Sequence, residues 1–274
     1  MSNRITNLQE DMSMRLQSFW RRVLLVPEAL ICVALLIAAV LVEHPFWVIG
    51  LTITTALLII RIGALYVAQS ALAAARYREA ASLAHLAYLL YPWSADALAM
   101  RGAIALTTGS LSEAVALLKR AIHYMPDLAS THAALSGALL ALGRADSARL
   151  AAEDALILDP QCAAAYLLLA EAEQVSGVAP LDVEDTLRAG LAVARRPEDE
   201  AALRCALAAL LIGIGRQAES SLVLSGIERV LSLCSPASQN RLQMRYGELL
   251  IAQGQIERAR EYLQGTIVVE QAIG

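Results

Sequence analysis

The side chains able to do chemistry in this 274-residue chain are few and scattered. His44, His85, His123 and His132 never fall in the H-E-x-x-H spacing that sets two imidazoles on one helix face around zinc, nor at metal spacing from a cysteine. Each reads as a surface or packing residue. Cys32, Cys162, Cys205 and Cys234 stand singly, so neither a disulfide framework nor a zinc ribbon is indicated, and a reducing compartment fits. Ser225-Gly226 lacks the flanking pattern of a nucleophile elbow, and Gly213-Ile214-Gly215 sits inside a helical pattern rather than after a strand. Glu171 and Glu173, two apart on a helix, point away from each other and cannot act as a carboxylate pair. No stretch reads as a strand that would build an α/β active site. The sequence therefore assigns no catalytic residue, no metal and no cofactor, and binding without turnover is the expected mode.

Two charges stand out by their surroundings. From Val23 to Val42 the only charge is Glu28, and from Pro45 to Ala68 the only charge is Arg61. Each run is long enough to cross ~30 Å of hydrocarbon as a helix. The expectation is two transmembrane helices, 23–42 and 45–68, in a hairpin whose turn is Glu43, His44 and Pro45. Pro45 suits the first position of a helix because its missing N–H has no partner there anyway. Phe19 and Trp20 precede the first span and Phe46 and Trp47 mark the hairpin end, as interfacial aromatic belts do. An antiparallel hairpin brings Glu28 and Arg61 to one depth, where they either form an ion pair or reach separately to the headgroups. Arg15, Arg21, Arg22, Arg76 and Arg78 gather at the open end, which the positive-inside rule places in the cytoplasm. A cleaved signal peptide is disfavoured because a second apolar run follows the first at once. A re-entrant hairpin is the remaining alternative to full spans. Residues 1–22 carry Ile5, Leu8, Met12, Leu16 and Phe19 at helical spacing, an amphipathic segment that lies on the membrane, packs on another chain or frays.

Composition removes further classes. The chain is 57% apolar with a net charge of −4, and its 26 acidic residues outnumber 22 basic ones, of which only Lys119 is lysine. A nucleic-acid binder would show a basic surface that releases counterions from phosphates. No nucleic acid is expected as a partner. The arginine-over-lysine bias fits a GC-rich bacterial genome, and hence a multi-pass protein of the bacterial inner (cytoplasmic) membrane.

Beyond residue 60 the chain repeats itself. Pro92, Pro126 and Pro160 lie 34 apart, as do Gly109, Gly143 and Gly177, then Ala80, Ala114 and Ala148, and Ala87, Ala121 and Ala155. Small residues at Gly102, Ser136 and Ala170, and at Ala80, Ala114 and Ala148, let paired helices approach closely. The Ala87 column admits the next unit, the glycines close the turn within a pair, and the prolines stop each second helix. Ser110 and Glu113 read as a capping box. This pattern resembles the tetratricopeptide repeat, a 34-residue helix-turn-helix unit. The match is good over 61–94, 95–128 and 129–162, and looser over 163–199, 201–234 and 240–273. The resemblance implies an all-α solenoid of about six helix pairs, occupying 61–274. Its first helix overlaps the second span, so one continuous helix is expected to leave the membrane and enter the solenoid.

In this family ligands lie against the first helix of each unit. By position that groove includes Asp96, Ala99, Ala103, Leu106 and Thr107, then Ser130, Ala133, Gly137, Leu140 and Ala141, then Ala164, Leu167, Glu171, Gln174 and Val175. The lysine and arginine clamp of family members that bind acidic C-terminal peptides is absent from these positions. An amphipathic or apolar helical segment of a protein partner fits better, unless the superhelix closes and these residues are core. Eight acidic residues against three arginines between Glu171 and Glu200 form either a solvated cluster or a dock for a basic segment. The resulting reading is a membrane-anchored scaffold, assembly factor or accessory subunit, homo-oligomeric or not. The alternative is an extracytoplasmic repeat protein of cytochrome or envelope biogenesis; an enzyme is the third and least-favoured class.

Overall fold

A computed structural model describes residues 33–38 and 45–263, and every regular element among them is helical. The helices are α1 (Pro45–Ala73), α2 (Tyr77–Leu90), α3 (Ala95–Thr107), α4 (Leu111–Tyr124), α5 (Ala129–Ala141), α6 (Ala145–Leu158), α7 (Ala163–Val175), α8 (Pro180–Val193), α9 (Pro197–Gly213), α10 (Gln217–Val223), α11 (Ile227–Leu231) and α12 (Pro236–Ala252). Residues 33–38 and 256–263 are helical as well. Among the described residues six antiparallel pairs result, the fifth made of α9 against α10 and α11, and the sixth of α12 against 256–263.

One turn closes every pair. The N–H of Ser110 donates to Ala105 O (2.8 Å), Arg144 to Leu139 O (2.9 Å), Val178 to Glu173 O (3.0 Å), Arg216 to Leu211 O (2.8 Å) and Gln255 to Leu250 O (2.9 Å). The residue before each donor is Gly109, Gly143, Gly177, Gly215 or Gly254, all at positive φ. This is the six-to-one bond of a Schellman motif, which satisfies a carbonyl at the helix end and demands a left-handed residue. In the first pair Ala75 takes that place at φ 60, with Arg76 N–H donating to Ala71 O. The same turn removes the expected capping box. Ser110 stands at ψ 61 and its side chain makes no capping bond, because its backbone is held by the Schellman turn. Ser94, with an extended backbone, does cap: its hydroxyl accepts from Ala97 N–H at 3.2 Å.

The small-residue columns are where helices meet. A β-carbon at Gly102 would come 2.7 Å from Leu118 Cγ in the paired helix. Ser136 Oγ donates to Ala148 O at 2.8 Å, and in the fifth pair Ser220 Oγ donates to Ala208 O at 3.2 Å, the same crossing with the hydroxyl on the opposite helix. Gly190 continues the Ala87 column with one residue inserted, and a β-carbon there would meet Tyr166 Cβ at 2.7 Å and Leu203 Cδ2 at 2.9 Å. After α2, α4 and α6 the pre-proline residues Tyr91, Met125 and Asp159 have ψ of 94, 87 and 97, the extended form that a following proline imposes. The fifth unit departs most: α9 begins at Pro197 rather than Ala201, and its second helix breaks at Gly226, φ 71, into α10 and α11.

Helix α1 is continuous, as the overlap of span and repeat requires. Phe46–Ala73 is long and apolar enough to cross a membrane, with a mean hydropathy of 2.1, and is the only such helix among the described residues. Its first half is exposed, including Phe46, Ile49, Ile53 and Ile59. Its second half is the part that packs on α2, Ala71 with Ala80 and Ala84 and Ala64 with Ala87, and Ala68 is buried there too. Thr52, Thr54 and Thr55 donate their hydroxyls to carbonyls three or four residues back, so these polar groups are satisfied within the helix. A β-carbon at Gly50 would lie 3.6 Å from Leu35 Cδ2, placing the 33–38 helix beside α1. Glu28, the rest of the first span, residues 43–44, residues 1–22 and the end of the sixth unit lie outside the described residues.

The first helices touch in sequence, α1 to α3, α5, α7, α9 and α12, and α12 touches α1. Their inner face therefore turns back on itself.

Candidate functional site

That inner face carries two clefts. The first, about 590 Å³, lies between α1, α3 and α5 and is lined by Leu65, Leu72, Met100, Ala103 and Leu128, with Arg61, Gln69, Asp96, Ser130 and Thr131 as its polar members. Arg61 is buried at its edge with its guanidinium 5.2 Å from the centre of the Tyr91 ring, a cation–π contact. The second, about 650 Å³, lies between α7, α9 and α12 and is lined by Leu167, Leu168, Ala202, Ala206, Leu242 and Met244, with Glu171, Arg241, Arg245 and Glu248. The cleft walls crowd the Glu171 carboxyl and push its pKa up, while Arg245 and Arg241 pull the other way. Cys205 also reaches this cleft, but burial pushes its thiol up to about 12, so it stays protonated and unreactive at neutral pH.

Of the residues placed in the groove by sequence position, Asp96, Ala99, Ala103 and Ser130 line the first cleft, and Leu167 and Glu171 the second. Leu106, Gly137, Leu140 and Ala164 are half-buried between the clefts, whereas Thr107, Ala141, Gln174 and Val175 are exposed at the ends of α3, α5 and α7. Ala133 is a correction: it is 4% exposed and packs with Ala155 and Ala165, so Ala134 lines the cleft in its stead. Arg61 belongs to the cleft, and its expected partner Glu28 lies outside the described residues. Ile62, Leu65 and Gln69 were missed, although subtracting the 34-residue period from Asp96, Ala99 and Ala103 lands on them. The contributions of α9 and α12 follow no such period, because the fifth unit is lengthened.

Four of the eight acidic residues of the cluster are paired within the fold. Glu184, 5% exposed, accepts from Arg188 Nε at 2.9 Å and from an Arg216 guanidinium nitrogen at 2.6 Å across the turn of the next unit. The Arg188 bonds first, then those of Arg216, hold its carboxyl below the usual carboxylate range against the effect of burial. Asp199 accepts from Arg196, Glu200 pairs with Arg204, and Glu198 accepts from Ser235 N–H. Among the histidines, His132 Nε2 lies 2.8 Å from Pro126 O, a bond between a helix and the proline turn before it. Among the described residues no group of three or more His, Cys, Asp or Glu side chains could hold a metal ion.

No family model and no curated protein sequence matches this chain. Solved structures do share the fold. TTC0263, a thermophilic TPR protein of Thermus thermophilus, superposes with a TM-score of 0.59 at 23% identity over 70% of this chain and 99% of that one. PilF of Pseudomonas aeruginosa superposes with a TM-score of 0.54 at 17% identity over 75% of this chain and 90% of that one.

Proposed function

We propose that this chain, a tetratricopeptide-repeat solenoid in fold, is a membrane-anchored scaffold that holds a helical segment of a partner protein against its inner face. The observation that carries this reading is the first cleft: an apolar floor from three consecutive first helices with polar groups at its margin. Such a surface suits an amphipathic or apolar helix read through anchors at i, i+3 and i+4. Anchoring rests on α1, and the cytoplasmic placement of the solenoid rests on the arginines gathered at its side of the apolar runs. A photo-crosslinking residue at Ala103 in the full chain, produced in its own membrane, is expected to capture a polypeptide that the same residue at Arg149 on α6 does not. Equal capture at both positions, or none at Ala103, overturns the reading. Protease added to right-side-out and inverted vesicles tests sidedness, and digestion of the solenoid only in right-side-out vesicles refutes the cytoplasmic placement.

A further inference from the structure

The first helix pair exposes apolar side chains beyond α1 itself. At the end of α2 and in the turn that follows, Leu86, Leu89 and Trp93 are exposed, the last two at 61% and 59%. Tyr91 packs edge-on to Trp93 with ring centres 5.9 Å apart, and it also lies against the Arg61 guanidinium.

The repeat itself does not require these residues. One period on, Leu86, Tyr91 and Trp93 become Arg120, Met125 and Asp127, and two periods on they become Asp154, Asp159 and Gln161. Leu89 becomes His123 and then Ile157. Two of the four positions, those of Leu86 and Trp93, thus turn polar in both later units, and the other two in one of them, while the helices around them keep the same geometry. The cause must lie in where the first unit stands.

The register with α1 gives that place. At about 1.5 Å per residue, a hydrocarbon layer of ~30 Å that begins at the Trp47 belt ends roughly 20 residues later, beside Val67. Outside the cleft the exposed apolar run agrees: Ile59, Ile60 and Val67 are exposed, and Ser70 follows. Ala87 packs level with Ala64, and Tyr91 lies level with Arg61. The tip of α2 and its turn therefore sit on the bilayer side of Val67.

We infer that Leu86, Leu89, Tyr91 and Trp93 form a second membrane contact, seated in lipid beside α1. The inference rests on α1 spanning the bilayer. Tyr91 then shields Arg61 from lipid at that depth, ~9 Å inside the hydrocarbon edge at Val67 by the same rise per residue. The solenoid is fixed by two points and cannot swing about one helix.

The test uses the full chain in phosphatidylcholine vesicles, with acyl chains brominated near the interface as a contact quencher. Trp20→Phe with Trp47→Phe leaves Trp93 as the sole emitter, and Trp20→Phe with Trp93→Phe leaves Trp47. Unchanged far-UV circular dichroism establishes that each variant is folded. Both single tryptophans are expected to lose the larger part of their emission to brominated lipid, with Trp93 little affected by aqueous acrylamide. Quenching of Trp47 by lipid but of Trp93 only by acrylamide overturns the second contact and leaves the span intact. Shielding of Trp93 from both quenchers, with a second copy or another protein crosslinked there, also overturns it. If neither tryptophan responds to lipid, the spanning role of α1 falls, and the second contact with it.

Discussion

Gly190 and Gly213, one in the last turn of α8 and one at the end of α9, make opposite predictions for the same substitution. Alanine at Gly190 places a methyl 2.7 Å from Tyr166 Cβ, an atom fixed to the backbone of α7, and 2.9 Å from Leu203 Cδ2. The leucine can turn aside, but the tyrosine β-carbon cannot, so two helices must separate. Overpacking of this kind costs about 1–3 kcal/mol, and the better helix propensity of alanine returns about 1 kcal/mol. The net expectation is a loss of up to about 2 kcal/mol. Nothing lies within 4 Å of a β-carbon at Gly213, so Gly213→Ala keeps only the conformational gain, about 0.5–1 kcal/mol. In a solenoid such effects stay near the altered interface, so the measurement is hydrogen exchange of the α8 and α9 amides in the full chain. Gly190→Ala is expected to speed exchange there by up to about 30-fold, and Gly213→Ala to slow it. If both substitutions move protection in the same direction, the account of Gly190 as the packing point between the fourth and fifth units is wrong.

Other outcomes follow from the same geometry. Ala75→Gly is expected to stabilise the first pair by about 0.5–1 kcal/mol, since a left-handed alanine costs about 1–2 kcal/mol and glycine gives part of that back as chain entropy; slower exchange in α1 and α2 would show it. Glu184 has its folded pKa depressed, so its contribution is complete above the unfolded value, about 4.3, and is lost as pH falls through the lower folded value. Glu184→Gln is expected to remove that acid-side loss of protection between α8 and α9. Glu171 behaves in the opposite sense: its raised pKa means that ionisation destabilises the fold at neutral pH, and Glu171→Gln is expected to stabilise there but not below the unfolded value. A thiol reagent added to the folded chain is expected to modify half-buried Cys162 well before Cys205, and equal rates would contradict the burial of Cys205.

How much of this was legible depended on whether a residue's role leaves a chemical mark. The turn glycines and closing prolines were readable because positive φ and a missing N–H are demands that few residues meet, and they recur at Gly109, Gly143 and Gly177 and at Pro92, Pro126 and Pro160. Close crossings were readable for the same reason, through Gly102, Ser136 and Ala148. The clefts were only half legible. Alanines face both the core and the cleft in these helices, so type alone could not separate buried Ala133 from cleft-lining Ala134. Long-range pairs left no local sign: Glu184 and Arg216 are 32 residues apart, and their bond clamps two units together. The contact of α12 with α1 is the sum of small rotations from pair to pair and is written in no single motif.

The unbroken run of α1 from Pro45 to Ala73 also makes it a keyed shaft. Because a helix turns about 100° for each residue, one residue inserted between Trp47 and Arg61 would swing the cleft through more than a quarter of a circle while lifting it only ~1.5 Å. The compass bearing at which a partner is met is thus encoded in the number of residues inside the lipid. Length changes in that stretch should be tolerated in whole turns and penalised between them.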